Sequence, residues 1–324
     1  MLVKINIPSR LHLTLISMHE DGYRQNGGIG FSINIPSLEV DFQNIRTISI
    51  EDNRNSGFTQ KEKQRIITIL EDEVKKKNFT TGYIATIKGN VPTHMGFGSS
   101  TSLRLALIEG LYLINKHEYT KEDIVRVSER GGVSGIGIET YFHGGLIFDM
   151  GRTSVSDFVP SSSMEKKEKK LPLLAKRVNM PLWNIGICIP NIKPKTESEE
   201  KAFFTKTCPI EESESYKALY HATYGVLASV MEEDIDTFEK AIVKIQKCQW
   251  KKSERALYGD TLLKEESILY ECGAKAVGMS SLGASLYFVA DDVHEVIEYA
   301  KKKLIKSKFF ITNVNNVGRT ISYD

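Results

Sequence analysis

The sequence VPTHMGFGSSTS, residues 91–102, lies between a predicted strand over Gly82–Gly89 and a predicted amphipathic helix over Ser102–Lys116. Glycines in such a turn adopt positive φ and let the backbone approach a ligand closely. The helix that follows adds unpaired N–H groups and the positive end of its dipole. Hydroxyl side chains can bond phosphate oxygens or Mg²⁺. We therefore predict a phosphate-binding loop made of Gly96, Gly98, Ser99, Ser100 and Thr101, with Ser100 as the ligand of a Mg²⁺ cofactor.

A turn without a ligand is the alternative interpretation, and a bare Gly-x-Gly would favour it. The flanking proline, the run of hydroxyls and the strong helix together favour phosphate binding. The loop is not a Walker A motif, because no Gly-Lys-Ser/Thr follows the glycines.

Strand and helix patterns occupy separate blocks on both sides of this loop, which is typical of an α+β fold. The chain has 324 residues, more than one hydrophobic core usually serves. We predict two domains, residues 1–175 and 176–324. The polar run Ser161–Leu171, SSSMEKKEKKL, is expected to be an exposed loop near their boundary.

Charge and cysteine content exclude several classes of protein. Lys and Arg number 43 and Asp and Glu 41, so the net charge of +2 gives no long-range attraction to nucleic acid or a membrane. The N-terminus lacks the pattern of a signal peptide, and no apolar run approaches the ~20 residues of a membrane span. The four cysteines form no metal-binding or disulfide pattern. We expect a cytoplasmic protein that binds a small phosphorylated molecule.

Three motifs resemble those of the GHMP kinases, the superfamily of galactokinase, homoserine kinase and mevalonate kinase. The phosphate loop is similar to the second motif, Ile7–His12 to the first, and Gly278–Gly283 to the third. The resemblance spans nearly the whole chain. It implies an N-terminal α+β domain with a left-handed crossover, a ferredoxin-like C-terminal domain and, for many members, a homodimer.

One element departs from the kinase pattern. Many GHMP kinases carry Pro-Ser-Gly-x-Asp before a Gly-Gly pair, and the aspartate orients or deprotonates the hydroxyl that is phosphorylated. Here Ser134-Gly135 and Gly144-Gly145 fix the register, so Gly137 occupies the aspartate position and offers no proton acceptor. Glu139 would point to a different helix face.

At these departures the chain resembles the beta-ribofuranosylaminobenzene 5'-phosphate synthases. Their reaction joins phosphoribosyl pyrophosphate to a 4-substituted benzoate and releases pyrophosphate and carbon dioxide, a step of methanopterin biosynthesis. Such a reaction requires no base for an alcohol, but requires a clamp for pyrophosphate and a Mg²⁺ ion. The matching segments are Ser9–Leu13, Asn26–Gly30, Pro92–Ser99, Arg130–Ile138 and Gly278–Gly283.

Arg10 and His12 lie two apart on a predicted strand and therefore share a face. We predict that Arg10 holds a carboxylate or phosphate, and that His12 and His94 are its partners in catalysis; a solvated face and a loop histidine bonded to backbone are the alternatives. Arg24 and Arg130 are anion-binding candidates, with plain surface charge as the alternative. The predicted substrate-binding residues are Arg24, Gly28, Arg130, Ser134, Gly135, Gly137, Ser280 and Ser281.

Two other functions remain open at this point. An ATP-dependent small-molecule kinase of the same fold would share the phosphate loop and use a different base. A non-catalytic binding or regulatory protein would not need the complete set of Arg10, His12 and the loop.

Overall fold

The computed structural model describes residues 2–55, 57–89, 91–153 and 171–323. Apart from Leu171, the predicted boundary loop Ser161–Leu171 lies outside the described residues.

The first half forms a large sheet around two long antiparallel strands, β1 (Leu2–Ser17) and β2 (Arg24–Ile45). Each of these two strands runs without a break. The pairing between them shifts register at Pro8/Ser9 and at His12/Thr14 of β1. The remaining strands of this sheet are β3 (Ile48–Asp52), β4 (Gly82–Gly89), β5 (Leu146–Asp149), β6 (Arg152–Thr153), β7 (Leu174–Val178) and β12 (Thr320–Tyr323).

Gly27, Gly28 and Gly30 lie inside β2 and are buried. The reason is close packing between strands. A Cβ on Gly28 would lie 2.6 Å from the Thr14 carbonyl oxygen and 3.0 Å from His12 Nε2. Glycine here allows close approach to β1 instead of ending the strand.

Four helices cover the first half: α1 (Gln60–Lys77), α2 (Ser99–Ile114), α3 (Lys121–Ser128) and α4 (Ile136–His143). The parallel strands β3 and β4 are joined through α1. Thr120 caps α3 through a capping box with Asp123, as its position predicts. The helix predicted from Ser102 begins three residues earlier, because Gly98 takes a left-handed conformation and is the N-cap. The serines of the loop therefore belong to the first helical turn.

The second half contains the strands β8 (Asn184–Ile189), β9 (Ala276–Met279), β10 (Leu286–Val289) and β11 (Lys308–Asn313). They form an antiparallel sheet in the order β11-β8-β10-β9. With helices between β8 and β9 and between β10 and β11, this is the ferredoxin-like βαββαβ arrangement that the resemblance implies. The helices are α5 (Glu197–Thr207), α6 (Glu212–Tyr220), α7 (Ala228–Glu232), α8 (Ile235–Gln246), α9 (Gln249–Ala256), α10 (Gly259–Glu271) and α11 (Val293–Lys303), with a π-helical segment, His221–Leu227, between α6 and α7.

The two halves share a continuous hydrophobic core. Phe31 of β2 meets Phe238 of α8 edge to face, with ring centroids 6.4 Å apart. The C-terminal strand β12 returns to pair with β1, and β7, which spans the predicted domain boundary, pairs with β5. The boundary at residue 175 stays a prediction. Within the described ranges, no helix is long and apolar enough to cross a membrane.

Candidate active site

The loop before α2 is held by its apolar side chains and leaves its backbone available. Met95 and Phe97 are buried, whereas Gly96, Gly98 and Ser100 are partly exposed. Gly96 and Gly98 have φ of +94° and +76°. Within the part of the chain that the structure describes, no protein acceptor bonds the backbone N–H groups of residues 96–100. Of these, the N–H groups of Ser99 and Ser100 belong to the first turn of α2, where unpaired donors and the positive end of the dipole favour anion binding.

The third motif supports the loop from behind. The Ser280 hydroxyl, which is fully buried, donates to the Gly96 carbonyl at 2.7 Å and accepts from the His12 N–H at 3.1 Å. The Ser281 N–H donates to the His12 carbonyl at 3.0 Å. The hydrogen bonds of the Ser280 hydroxyl are therefore used within the protein. The geometry places Ser280 as a support of the loop, where the sequence predicted direct contact with substrate.

Arg10 lies against the same loop. Its Nη1 donates to the Gly96 carbonyl at 2.6 Å, and its backbone N–H donates to the Phe97 carbonyl at 3.1 Å. Nε of Arg10 is buried and has no hydrogen-bond acceptor in the described chain. Burial lowers the pKa of Arg10 to about 10, with the nearby Glu254 carboxylate opposing the shift, so the guanidinium is charged at neutral pH.

Gly137 lies beside Arg10, and a small side chain would fit there. A Cβ at Gly137 would lie 3.5 Å from Thr101 Cγ2 and 4.0 Å from Arg10 Nε, both ordinary contact distances. Gly137 does not have a positive φ, so neither the backbone nor packing demands glycine here. Glu139 does not fill the space, because it is buried and its carboxylate binds Lys121 Nζ at 3.0 and 3.2 Å.

His12 shares a face with Arg10, as predicted, because no register shift separates them in β1. His12 Nε2 lies 3.4 Å from the Ser134 hydroxyl. Burial holds the pKa of His12 well below its usual value, and the positive charges of Arg10 and Lys251 add to this shift. The imidazole is therefore neutral at pH 7.

Asp149, at the end of β5, organises the start of α4, and the sequence interpretation missed it. Its Oδ2 accepts from the Ser134 hydroxyl at 3.0 Å and the Gly135 N–H at 2.9 Å, and its Oδ1 accepts from the Gly151 N–H at 2.7 Å. Burial raises the pKa of Asp149 to about 6, although these hydrogen bonds oppose the shift. An aspartate that ends a wholly apolar strand must find buried partners, and that signal was available in the sequence.

The buried ion pair of Lys251 and Glu254, on α9, was also missed. Lys251 is 0% exposed, and its Nζ donates to Glu254 and to the Met279 carbonyl at 2.7 Å. Burial lowers the pKa of Lys251 and raises that of Glu254. The pair anchors the strand that leads into Ser280. The segment that contains the pair, WKKSER, has the composition of an ordinary surface helix, so the sequence does not indicate that the pair is buried.

Three predicted residues lie at the margin of this arrangement. Arg24 donates from Nε to the Met150 carbonyl and from Nη2 to the Gly151 carbonyl, both at 2.8 Å, and lines a cavity of about 400 Å³. The residues of the phosphate loop do not line that cavity. The candidate site is therefore defined by the unbonded backbone N–H groups of the loop. His94 is exposed, with Nε2 3.4 Å from a Glu62 oxygen. Arg130 is half-buried beyond the end of α3.

A metal ion would depend on the ligand for most of its contacts. Among residues 2–55, 57–89, 91–153 and 171–323, no group of three His, Cys, Asp or Glu side chains is placed to hold a metal. Ser100 is partly exposed in the first turn of α2 and offers one hydroxyl oxygen. This donor set fits Mg²⁺, which commonly keeps several waters and binds through substrate phosphates.

Comparison with known proteins agrees with this geometry. The model of the GHMP kinases N terminal domain matches residues 63–144. Two relatives, both named beta-ribofuranosylphenol 5'-phosphate synthase, come from Archaeoglobus fulgidus and Methanothermobacter thermautotrophicus. The first is 28% identical over 98% of each chain, and the second is 29% identical over 89% of this chain and 88% of the other. A relative of the same name from Methanocaldococcus jannaschii is 28% identical and covers 98% of this chain and 99% of its own.

Solved kinases share the fold at low identity. The mevalonate kinase of L. major, in complex with R-mevalonate, has a TM-score of 0.71 at 13% identity and covers 97% of this chain and 96% of its own. The homoserine kinase of Cytophaga hutchinsonii has a TM-score of 0.68 at 14% identity, with 99% and 97% covered. In its sequence the chain is thus similar to the GHMP kinases N terminal domain over residues 63–144 and, over nearly its whole length, to proteins named beta-ribofuranosylphenol 5'-phosphate synthase.

Proposed function

We propose that this protein is a transferase that joins phosphoribosyl pyrophosphate to a 4-substituted benzoate and releases pyrophosphate and carbon dioxide. The names of its relatives specify a ribofuranosylphenol as product. A phenol retains a ring hydroxyl, so we propose 4-hydroxybenzoate as the acceptor in preference to 4-aminobenzoate.

One observation carries the proposal: the space beside Arg10 where a kinase of this fold would have its carboxylate. Gly137 is partly exposed and has no side chain to fill that position, and Arg10 Nε, 4.0 Å from where a Cβ would lie, has no hydrogen-bond acceptor among the described residues. A buried cationic donor without an acceptor is costly unless a ligand supplies one. The carboxylate of a benzoate has the charge and the two oxygens that a guanidinium binds best.

The chemistry balances without a base for an alcohol. The ring carbon that bears the carboxylate bonds to C1 of the ribose, and the C1–O bond to pyrophosphate breaks. Pyrophosphate leaves with the electron pair of that bond. The bond to the carboxylate then breaks, carbon dioxide leaves, and its electron pair restores the aromatic ring. No hydroxyl is deprotonated, which agrees with a glycine at position 137.

The residues of this chain supply binding and charge. The free N–H groups of residues 96–100 would hold the pyrophosphate as it gains negative charge. Arg10 would hold the carboxylate next to the sugar carbon until the new bond forms. His12, which is neutral and buried, adds no positive charge near a sugar carbon that becomes cationic.

Mg²⁺, homodimeric assembly and a cytoplasmic location complete the proposal. When bound, Mg²⁺ would neutralise charge on the leaving pyrophosphate, and Ser100 is the residue that would hold it. These three features and the catalytic roles of His12 and His94 stay predictions from the sequence.

Pyrophosphate release by the purified protein tests the function. We expect release from phosphoribosyl pyrophosphate with Mg²⁺ only when 4-hydroxybenzoate, or more weakly 4-aminobenzoate, is present. Gly137→Asp places a carboxylate where it can pair with Arg10, so the KM for the benzoate should rise by about tenfold to a hundredfold. Gly137→Asn, of the same size and neutral, is the matched control and should lose less.

Phosphorylation of an alcohol with ATP, in the absence of benzoate-dependent pyrophosphate release, would overturn the proposal in favour of a kinase. Tight binding of phosphoribosyl pyrophosphate with neither activity would favour a non-catalytic protein. Equal effects of Gly137→Asp and Gly137→Asn would show that the carboxylate of the benzoate does not bind Arg10.

A further inference from the structure

A cluster of arginines from three elements lies next to the phosphate loop. Arg104 is on α2, Arg130 follows α3, and Arg65 is on α1. Ser128, which is fully buried, joins the first two: its carbonyl accepts from Arg104 Nη1 at 3.2 Å, and its hydroxyl accepts from the Arg130 N–H at 3.1 Å. Arg65 is brought in by Glu129, which it contacts at 3.1 Å.

Two Nε atoms of this cluster lack hydrogen-bond acceptors among the described residues. Nε of Arg104 and Nε of Arg130 are both buried without a hydrogen bond. Glu129 serves Arg65 and lies 3.7 Å from Arg104 Nη1. For the guanidinium of Arg130, no acceptor lies within hydrogen-bond distance among the residues described. Such an arrangement raises the free energy of the folded protein unless an anion binds there.

Electrostatics agree with this geometry. Burial, together with the positive charges of Arg130 and Arg65, lowers the pKa of Arg104 to about 9, and the carboxylates of Glu129 and Glu62 oppose the shift. Burial and Arg65 also lower the pKa of Arg130, while Glu197, Glu62 and Glu129 oppose the shift. The nearby carboxylates therefore compensate only part of the positive charge that the arginines concentrate here.

The position of Arg104 relates the cluster to the loop. Arg104 follows Ser100 by four residues and Thr101 by three, so the three side chains share one face of α2. Long side chains on a helix lean toward its N-terminus, which here is the loop. The helix rises roughly 6 Å over these four residues. A sugar placed between two phosphoryl groups can span such a distance.

We propose that Arg104 and Arg130 form a second anion site, separate from the loop, which binds the phosphate monoester at the far end of the sugar substrate. The inference rests on the proposed function, since a ribose that carries pyrophosphate at C1 and a phosphate at C5 presents both anions. The loop binds the group that leaves, and the arginines bind the group that stays. Arginine suits this second role because its fork binds phosphate through two parallel hydrogen bonds.

Calorimetric titration of the whole protein with ribose 5-phosphate, pyrophosphate and inorganic phosphate separates the two sites. Arg130→Gln should weaken ribose 5-phosphate binding by about tenfold to a hundredfold and change pyrophosphate binding by less than about twofold. Arg126→Gln is the matched control: it removes the same charge from the exposed surface of α3, where Arg126 pairs with Asp123. It should leave both ligands unaffected.

Thermal unfolding distinguishes ligand binding from a structural role. Arg130→Gln breaks no side-chain hydrogen bond within the described protein, so its Tm should match or exceed that of the wild type, and only the wild type should gain Tm from ribose 5-phosphate. Arg130→Lys keeps the charge without the fork and should bind with intermediate affinity. A variant that loses Tm and still binds ribose 5-phosphate normally would overturn the proposal.

Two further outcomes are decisive. Inorganic phosphate that binds as tightly as ribose 5-phosphate would reduce the cluster to a general anion site and refute the sugar-phosphate assignment. Arg130-dependent binding of ribose 5-phosphate without benzoate-dependent pyrophosphate release would support this site and refute the proposed reaction. Normal catalysis by Arg130→Gln with an unchanged KM would refute the site and leave the proposed reaction intact.

Discussion

The N-termini of α2 and α4 lie side by side in this site, and they differ in whether the protein bonds their backbone N–H groups. The start of α2 follows Gly98, and the N–H groups of residues 96–100 have no acceptor among the residues that the structure describes. The start of α4 follows Gly135, whose N–H is bonded to Asp149, and the Ile136 N–H is bonded to the Ser134 hydroxyl. The two helices are in contact range where Gly137 faces Thr101.

This difference shows what makes a helix start an anion site. Both turns are rich in glycine and serine, and both helices present the positive end of a dipole. At α4 the protein supplies its own anion, the carboxylate of Asp149, and the donors are satisfied. At α2 no carboxylate among the described residues bonds the first turn, so its donors are available to an external anion. An anion-binding interpretation of a Gly/Ser turn therefore depends on whether a distant carboxylate already occupies it.

The largest expected effect comes from closing the open start with Gly96→Ala. A Cβ there would lie 2.2 Å from the Ser280 carbonyl oxygen, and the positive φ adds strain. Because the Ser280 backbone cannot yield easily, the loop must shift. We expect a loss of about 2–4 kcal/mol in the free energy of unfolding and a fall in kcat/KM of about a hundredfold, measured by urea unfolding and pyrophosphate release.

Gly273→Ala is the matched control for that substitution. Gly273 also has a positive φ, of +105°, but its nearest contact to a new Cβ is Val296 Cγ2 at 3.6 Å. It therefore introduces the same kind of backbone strain without a clash, and far along the chain from the loop. Equal losses of activity in the two variants would show that the contact with Ser280 does not position the loop.

The sequence was sufficient to predict the unbonded N-terminus of α2, which we call the open start. It was insufficient to predict the N-terminus of α4 that Asp149 bonds, which we call the closed start. The determinants of the α2 start are contiguous: two glycines, the serines and the helix that follows. The determinants of the α4 start are not, since Asp149 and Gly151 come from β5 and the turn after it. Lys251 is a stronger example, because it reaches Met279 from 28 residues away, and no periodic pattern records such a contact.

The two-sheet architecture was predictable from the resemblance to the GHMP kinases, whose three motifs occur in order along the chain. The periods of strands and helices, which are local properties of sequence, indicated only the α+β class. The return of β12 to β1 depends instead on a pairing between the two ends of the chain, with Val3 opposite Tyr323. Register over that separation is set by tertiary packing, which a single sequence does not display.

A second experiment removes the carboxylate that bonds the N-terminus of α4, by the substitution Asp149→Ala. The substitution removes the acceptor of the Ser134, Gly135 and Gly151 donors, and should lower the free energy of unfolding by about 1–3 kcal/mol at pH 7.5. The α4 start would then resemble that of α2. Acetate or formate should enter the vacated space and restore part of the Tm. Asp149→Asn fills the space and should show no such rescue.

The pH dependence of stability checks the same residue. Burial raises the pKa of Asp149 from its ordinary value of 3.8 to about 6, so the folded state binds the proton more tightly than the unfolded chain. The free energy of unfolding should therefore fall as the pH rises from about 4 to about 6, by about 3 kcal/mol from this group, and be level above that range. Asp149→Asn should lack this contribution. The same slope in wild type and variant would contradict the assignment.

The smallest effect is expected at Ser134, and it compares the two helix starts directly. The Ser134 hydroxyl donates to Asp149, accepts from the Ile136 N–H at 3.2 Å and lies 3.4 Å from His12 Nε2. Ser134→Ala should therefore cost about 0.5–1.5 kcal/mol of stability and reduce kcat/KM a few-fold.

Ser102, on α2, is a buried serine that serves as the control. Among the described residues its hydroxyl bonds only the Gly98 and Ser99 carbonyls of its own helical turn, both at 3.3 Å. Those carbonyls also belong to the helix, so Ser102→Ala should change neither quantity measurably. If Ser102→Ala proved the more damaging substitution, hydroxyls would matter at the open start and not at the closed one, and the contrast drawn from Asp149 would be wrong.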